Sequence, residues 1–176
     1  MAKMSIPEGL DVLQLQEGIV IRRVWRSWIA LPLCFFLVFW FGILGFMYYG
    51  MFTSRHTPPF IFFIPLFHVA AGLGLAYYVI STLLNQTDII ISPSNVKCTT
   101  GPIPWPGNLE VPATGVHGAV VRERNSGRRA NSMTFTVMYV DASNRERKLL
   151  SGLPHREQAD FIAASIEQIL GRPQPA

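Results

Sequence analysis

A membrane-spanning α-helical hairpin followed by a mainly-β domain with a C-terminal helix is the fold class this sequence predicts. Three features predict it. Two stretches, one between Arg26 and Arg55 and one between His56 and Asp88, contain no Asp, Glu, Lys or Arg. A hydrocarbon core about 30 Å thick is crossed by roughly 20 apolar residues of helix, and each stretch exceeds that. From Asp88 onward, short apolar runs are broken by clusters of Gly, Pro, Asn and Ser, the punctuation of an antiparallel sheet. The last run, from Pro154, carries apolar residues at helical spacing.

Composition agrees with a chain divided between two solvents. Of 176 residues, 49% are hydrophobic and 15% charged. That suits a lipid-embedded first half and an ordinary small second half. The sequence divides into an N-terminal segment 1–25, a two-helix segment 26–86, and a single domain 87–176. Glu8, Asp11 and Glu17 interrupt the start of the chain, which does not read as a cleaved signal peptide. Cys34 falls in the first apolar stretch and Cys98 in the later domain, so no disulfide between them is expected.

The first span is expected at 28–49 and the second at 60–83. Trp25 and Trp28 at one edge and Tyr48 and Tyr49 at the other form aromatic belts, as do Tyr77 and Tyr78 near the far end of the second span. Pro58 and Pro59 mark the turn, and Pro32 and Pro65 are expected to kink the helices. Arg22, Arg23 and Arg26 precede the first span, against Arg55 alone in the connection. The positive-inside rule therefore predicts a multi-pass protein with both termini cytoplasmic.

Gly42 and Gly45 in the first span and Gly72 and Gly74 in the second let helices approach closely. They serve either to pack the hairpin on itself or to dock a partner's helix. His68 is the only ionisable side chain inside a span. It is either a neutral, hydrogen-bonded imidazole or part of a proton path or haem site, and the latter needs a partner that neither span supplies.

In the β domain, strands are expected at 88–92, 96–100, 109–111, 116–124, 133–140 and 146–150, and a helix at 154–170. Phe135, Val137 and Tyr139 alternate with Thr134, Thr136 and Met138, the two faces of one strand. The helix carries Phe161, Ile162, Ser165, Ile166, Ile169 and Leu170 on one stripe and stops at Gly171. A small curved antiparallel sheet or barrel, with the helix plugging one opening, is the expected architecture.

The run Thr87-Asp88-Ile89-Ile90-Ile91-Ser92-Pro93-Ser94-Asn95-Val96, leading to a strand that ends in Gly101, resembles the opening strand pair of bacterial PH-like (YdbS-like) membrane-associated domains. The later hairpin, the strand ending Leu149-Leu150-Ser151-Gly152-Leu153 and the closing helix keep the same order. The Pro104-Trp105-Pro106-Gly107 insertion departs from it. The resemblance implies a PH-like domain on a transmembrane hairpin in a bacterial inner membrane. The order of hairpin and β domain is also similar, in organisation alone, to photosystem I assembly factors.

Catalytic apparatus is not apparent. His56, His68, His117 and His155 are scattered, no Cys-x-x-Cys or His-x-x-x-His pair occurs, and neither a P-loop nor a nucleophile elbow is present. Neither an enzyme nor a cofactor is expected. Binding has two candidates. Arg122, Arg124, Arg128, Arg129, Arg145, Arg147 and Lys148 lie on adjacent expected strands and their hairpin. They suit an anionic lipid surface or a protein partner, or else form cross-strand ion pairs on a solvated face. Trp105, stiffened by flanking prolines, is either an anchor for a partner or lipid interface or a lid over the domain's open end. Nucleic acid is not an expected partner, because Phe135 and Tyr139 lie on the core face. The sequence thus predicts a non-enzymatic adaptor, accessory or assembly subunit, binding membrane lipid or a larger membrane-protein complex, or a homo-oligomer. The alternative is a subunit of a transport or redox complex that uses His68.

Overall fold

The computed structural model describes residues 5–25, 27–54, 58–125 and 133–171. In chain order the elements are β1 (Leu10–Leu15), β2 (Gly18–Val24), α1 (Ala30–Thr53), a 3-10 turn (Pro59–Phe63), α2 (Leu66–Leu84), β3 (Gln86–Ile91), β4 (Asn95–Gly101), β5 (Leu109–Pro112), a second 3-10 turn (Ala113–Gly115), β6 (Gly118–Asn125), β7 (Met133–Val140), β8 (Glu146–Leu153) and α3 (Arg156–Leu170). They form two units, Trp25–Asn85 and the remainder of the chain on either side of it.

The β unit draws on both flanks of the helical segment. The stretch expected as a separate N-terminal segment, 1–25, supplies β1 and β2, which join β3, β4 and β5 in one antiparallel sheet of that order. The reason lies in an alternation at the N-terminus. Leu10 and Val12, then Ile19 and Ile21, face the core from either side of a Gln16-Glu17 turn. Gly18 closes that turn at φ +137°, where a Cβ would lie 2.1 Å from the Ile91 carbonyl oxygen, so no larger residue fits.

Strands β6, β7 and β8 make a second, three-stranded sheet. Among the described residues no ladder joins the two sheets, so the expected barrel closure is not found. Pro112 and the 3-10 turn after it end β5, since proline has no N–H to continue a ladder. Both sheets and α3 instead share one apolar core. Ile21, Ile89, Ile91, Val96, Val137, Leu153, Ile162 and Ile166 are almost wholly buried in it. Each such side chain contributes about 1.5–3 kcal/mol relative to exposure. Ala159, Ile162, Ala163 and Ile166 place the buried stripe of α3 one helical turn apart, and Gly171 ends the helix in the left-handed region at φ +64°.

The second unit is a pair of helices long and apolar enough to cross a membrane. At 1.5 Å per residue, the 24 residues of α1 extend about 36 Å. Much of their apolar surface faces outward: Phe35, Phe46 and Phe67 are more than three-quarters exposed. The expected kinks take other forms. Pro32 occupies the first turn of α1, where no intrahelical N–H is required, and Pro65 separates the 3-10 turn from α2. The Trp40 indole of α1 donates to the His68 carbonyl of α2 (3.2 Å), and the Tyr48 hydroxyl of α1 donates to the Phe62 carbonyl of the 3-10 turn (3.3 Å). At the opposite end the Trp25 N–H donates to the Asn85 carbonyl (3.1 Å).

Candidate functional site

The expected basic cluster is divided by the pleat. Val120, Arg122 and Arg124 on β6 lie opposite Met138, Thr136 and Thr134 on β7, and Lys148 on β8 lies opposite Met138. Paired residues share a face, so Arg122, Arg124 and Lys148 occupy the side of the sheet away from Ala119, Val121 and Val137. Arg147 lies opposite the buried Tyr139, on the other side. Arg145 is at the end of the β7–β8 turn, and Arg128 and Arg129 lie outside the described residues.

Two of these cations are engaged. Arg122 reaches across β7 to the Glu146 carboxylate, its Nε donating to Oε2 at 2.9 Å. Those hydrogen bonds hold the Glu146 carboxyl below its usual range. Arg147 Nε donates to Asp141 Oδ2 at 2.7 Å, and the backbone N–H groups of Arg145 and Ser143 donate to Oδ1. Together they lower the Asp141 carboxyl and fix the turn, with Arg147 the largest cause. Arg124, Arg145 and Lys148 form no ion pair among the described residues. The outer face thus offers three cations against one carboxylate.

Two arginines that the sequence reading assigns to the membrane flank, Arg22 and Arg23, belong to β2. Arg22 forms a two-pronged pair with Asp88 on β3, Nε to Oδ1 at 2.8 Å and Nη2 to Oδ2 at 3.2 Å. Read from the sequence as a membrane flank, Arg22 is a strand-to-strand tie. Arg23 shares the inner face with Ile19 and Ile21, and its guanidinium donates to the Gly152 carbonyl at 2.8 Å, linking the two sheets. Burial lowers the Arg23 guanidinium from its ordinary value. The period of two along Ile19-Val20-Ile21-Arg22-Arg23 was the available signal for both.

Trp105 is half-buried in the loop between β4 and β5. The Thr100 N–H, at the base of that loop, donates to the Asn108 side-chain oxygen at 2.8 Å. His68 stands in the first turn of α2 with its imidazole exposed, its ring 5.9 Å from Trp40 and 6.1 Å from Phe67. Its backbone carbonyl, rather than the imidazole, takes the hydrogen bond from Trp40.

The four glycines separate into two groups. A Cβ on Gly72 would meet Phe41 at 2.9 Å and Trp40 at 3.1 Å, so Gly72 is where α1 seats against α2. Around Gly42, Gly45 and Gly74 nothing lies within 4 Å of that position. These three do not pack the hairpin on itself.

Two further groups are removed from solvent. Cys98 is buried in the core, and burial pushes its thiol up to about 11. Glu167 on α3 is 5% exposed, and its Oε1 accepts the Ala119 N–H at 3.4 Å. Desolvation raises that carboxyl above its usual range. Among the described residues no cluster of three or more His, Cys, Asp or Glu side chains is assembled to hold a metal. No model of a known protein family matches this chain, and no curated protein matches it.

Proposed function

We propose that this protein is a non-enzymatic, membrane-anchored adaptor or accessory subunit with a PH-like domain, set in a bacterial inner membrane with both termini cytoplasmic. The observation that carries the reading is the insertion of the helical pair between two neighbouring strands. Strands β2 and β3 pair from Ile19↔Ile91 to Val24↔Gln86, and the adjoining residues Trp25 and Asn85 are hydrogen-bonded. Two spans leaving from and returning to one sheet keep both flanks on one side, and a doubly tethered domain is held at high local concentration near the surface. Two sheets followed by one C-terminal helix support the PH-like resemblance.

The face bearing Arg124 and Lys148 serves as the contact for anionic headgroups or an acidic surface of a partner complex. Each basic residue close to an anionic leaflet contributes about 1 kcal/mol. The full chain in nanodiscs of phosphatidylcholine, with and without phosphatidylglycerol, tests this. Amide exchange on β6 and β8 is expected to slow with the anionic lipid, and the Arg124→Glu/Lys148→Glu variant is expected to lose that protection. A membrane complex co-purifying with the wild type, and released by the same variant, places the contact on protein instead. If exchange and co-purification are both unchanged by the variant, the basic face has no such role.

A further inference from the structure

One sheet edge is built differently from the others. Strand β5 is short and ends in Pro112, while β6 carries Arg122, Glu123 and Arg124 and β8 carries Glu146, Arg147 and Lys148. Prolines and charges of this kind protect edges against pairing with another chain. The six residues of β1 have one charge, Asp11, and leave Leu13 and Leu15 about half exposed. Among the described residues, strand β1 has one neighbour, β2.

Among the described residues, the outer backbone of that edge pairs with no other strand. Leu10 donates its N–H to the Pro7 carbonyl, away from β2. Alternation in an antiparallel ladder then turns the N–H and C=O groups of Val12 and Gln14 outward as well. An open groove of about 1060 Å³ runs beside them, with α3 as its opposite wall. Val12, Ile19, Phe161 and Ile169 give it an apolar floor continuous with the core. Among the described residues, Glu17 is the only formally charged one lining it, and it forms no ion pair.

We infer that the free edge of β1, facing α3, binds an extended segment of a partner protein as a sixth strand of the first sheet. Outward N–H and C=O groups two residues apart are satisfied by an extended backbone and by no acyl chain. The pleat of the incoming strand turns every second side chain toward the floor, so those positions are apolar. A basic residue of the segment lies beside Glu17. The inference deepens the adaptor reading by naming a second contact, independent of the basic face.

A displayed library of linear heptapeptides, selected on the full chain in detergent micelles, is the probe. Enriched peptides are expected to alternate apolar and polar residues and to carry Lys or Arg. A synthetic copy of the best peptide is expected to slow exchange at the Val12 and Gln14 amides of the wild type. Its affinity falls at least tenfold with Gln14→Pro, which removes one outward N–H from an exposed edge position, and several-fold with Glu17→Lys. Arg124→Glu leaves it unchanged. The inference is overturned if no peptide is enriched, or if Val12 and Gln14 gain no protection. It is equally overturned if Gln14→Cys cross-links two copies through β1, which makes the occupant a second copy, or if native mass spectrometry finds lipid retained by the wild type and displaced by Phe161→Trp. Failure here with the anionic-lipid response of β6 and β8 intact leaves the adaptor reading standing, so the two are separable.

Discussion

Gly72 shows how much one side chain decides within the helical pair. Its missing Cβ admits Trp40 and Phe41, so Gly72→Leu is expected to destabilise the pairing of α1 and α2 by about 1–3 kcal/mol, the usual cost of overpacking. Gly45→Leu meets nothing within 4 Å and leaves the pairing intact. Tryptophan fluorescence during denaturant titration in detergent distinguishes them, because Trp40 reports the contact directly. Four glycines in apolar helices look alike in a sequence. Which of them touches a neighbour is a property of helix rotation, and spacing alone does not reveal it.

Glu167 is a carboxylic acid whose protonation favours folding. Its carboxyl is raised in the folded state, so the neutral form is the one the fold favours. The contribution is complete below the unfolded glutamate value and is lost as pH rises through the raised folded value. Glu167→Gln keeps a neutral acceptor for the Ala119 N–H. It is expected to raise stability at neutral pH and to flatten the fall in stability above about pH 4.5, the ordinary glutamate range. Thermal melts of wild type and variant from acid to neutral pH check this. Cys98 behaves in a related way: burial keeps its thiol protonated to about 11, so iodoacetamide at pH 8 is expected to spare it until the protein is unfolded.

Among the elements, legibility followed the strength of local pattern. Strand β7 was readable over Met133–Val140 because three core residues alternate with three polar or flexible ones between clear turns. The helix α3 was readable from its stripe and Gly171, with the start displaced to Arg156 because Pro154 belongs to the turn before it. Strands β1 and β2 pair with each other and were overlooked because the strand their hairpin joins, β3, lies more than sixty residues beyond β2. Short alternating runs beside a membrane span give no sign of which sheet they join. Barrel closure was expected because many short strands usually curl. The break at Pro112 and the cover provided by α3 leave two sheets instead. The dependence of the β unit on β2 is testable: Ile21→Ala deletes a wholly buried side chain and is expected to cost about 2–5 kcal/mol, measured by chemical unfolding. Leu13→Ala, half exposed on the outer side of β1, changes stability by less than about 0.5 kcal/mol.

The candidate site was legible as a composition and not as a surface. Seven cations were named together from sequence. The pleat places Arg122, Arg124 and Lys148 on one side and Arg147 on the other, and the acids Glu146 and Asp141 engage two of them. Charge pairing across strands depends on register, and register is fixed by the hairpin turns and by extra residues of β8 opposite Phe135–Met138.

For the whole molecule, we propose that the two apolar helices, which lie in sequence between the paired strands β2 and β3, cross a membrane and return. Single cysteines at Ser5, Ser54 and Gly171, in a chain with Cys34 and Cys98 replaced by serine, test it most directly. Each variant is treated in sealed cells with a membrane-impermeant maleimide, before and after permeabilisation. Labelling of the Ser54→Cys variant from outside is expected, with labelling of Ser5→Cys and Gly171→Cys only once the membrane is opened. Labelling of Ser5→Cys and Gly171→Cys on opposite sides, or recovery of the intact chain in the soluble fraction without detergent, contradicts it.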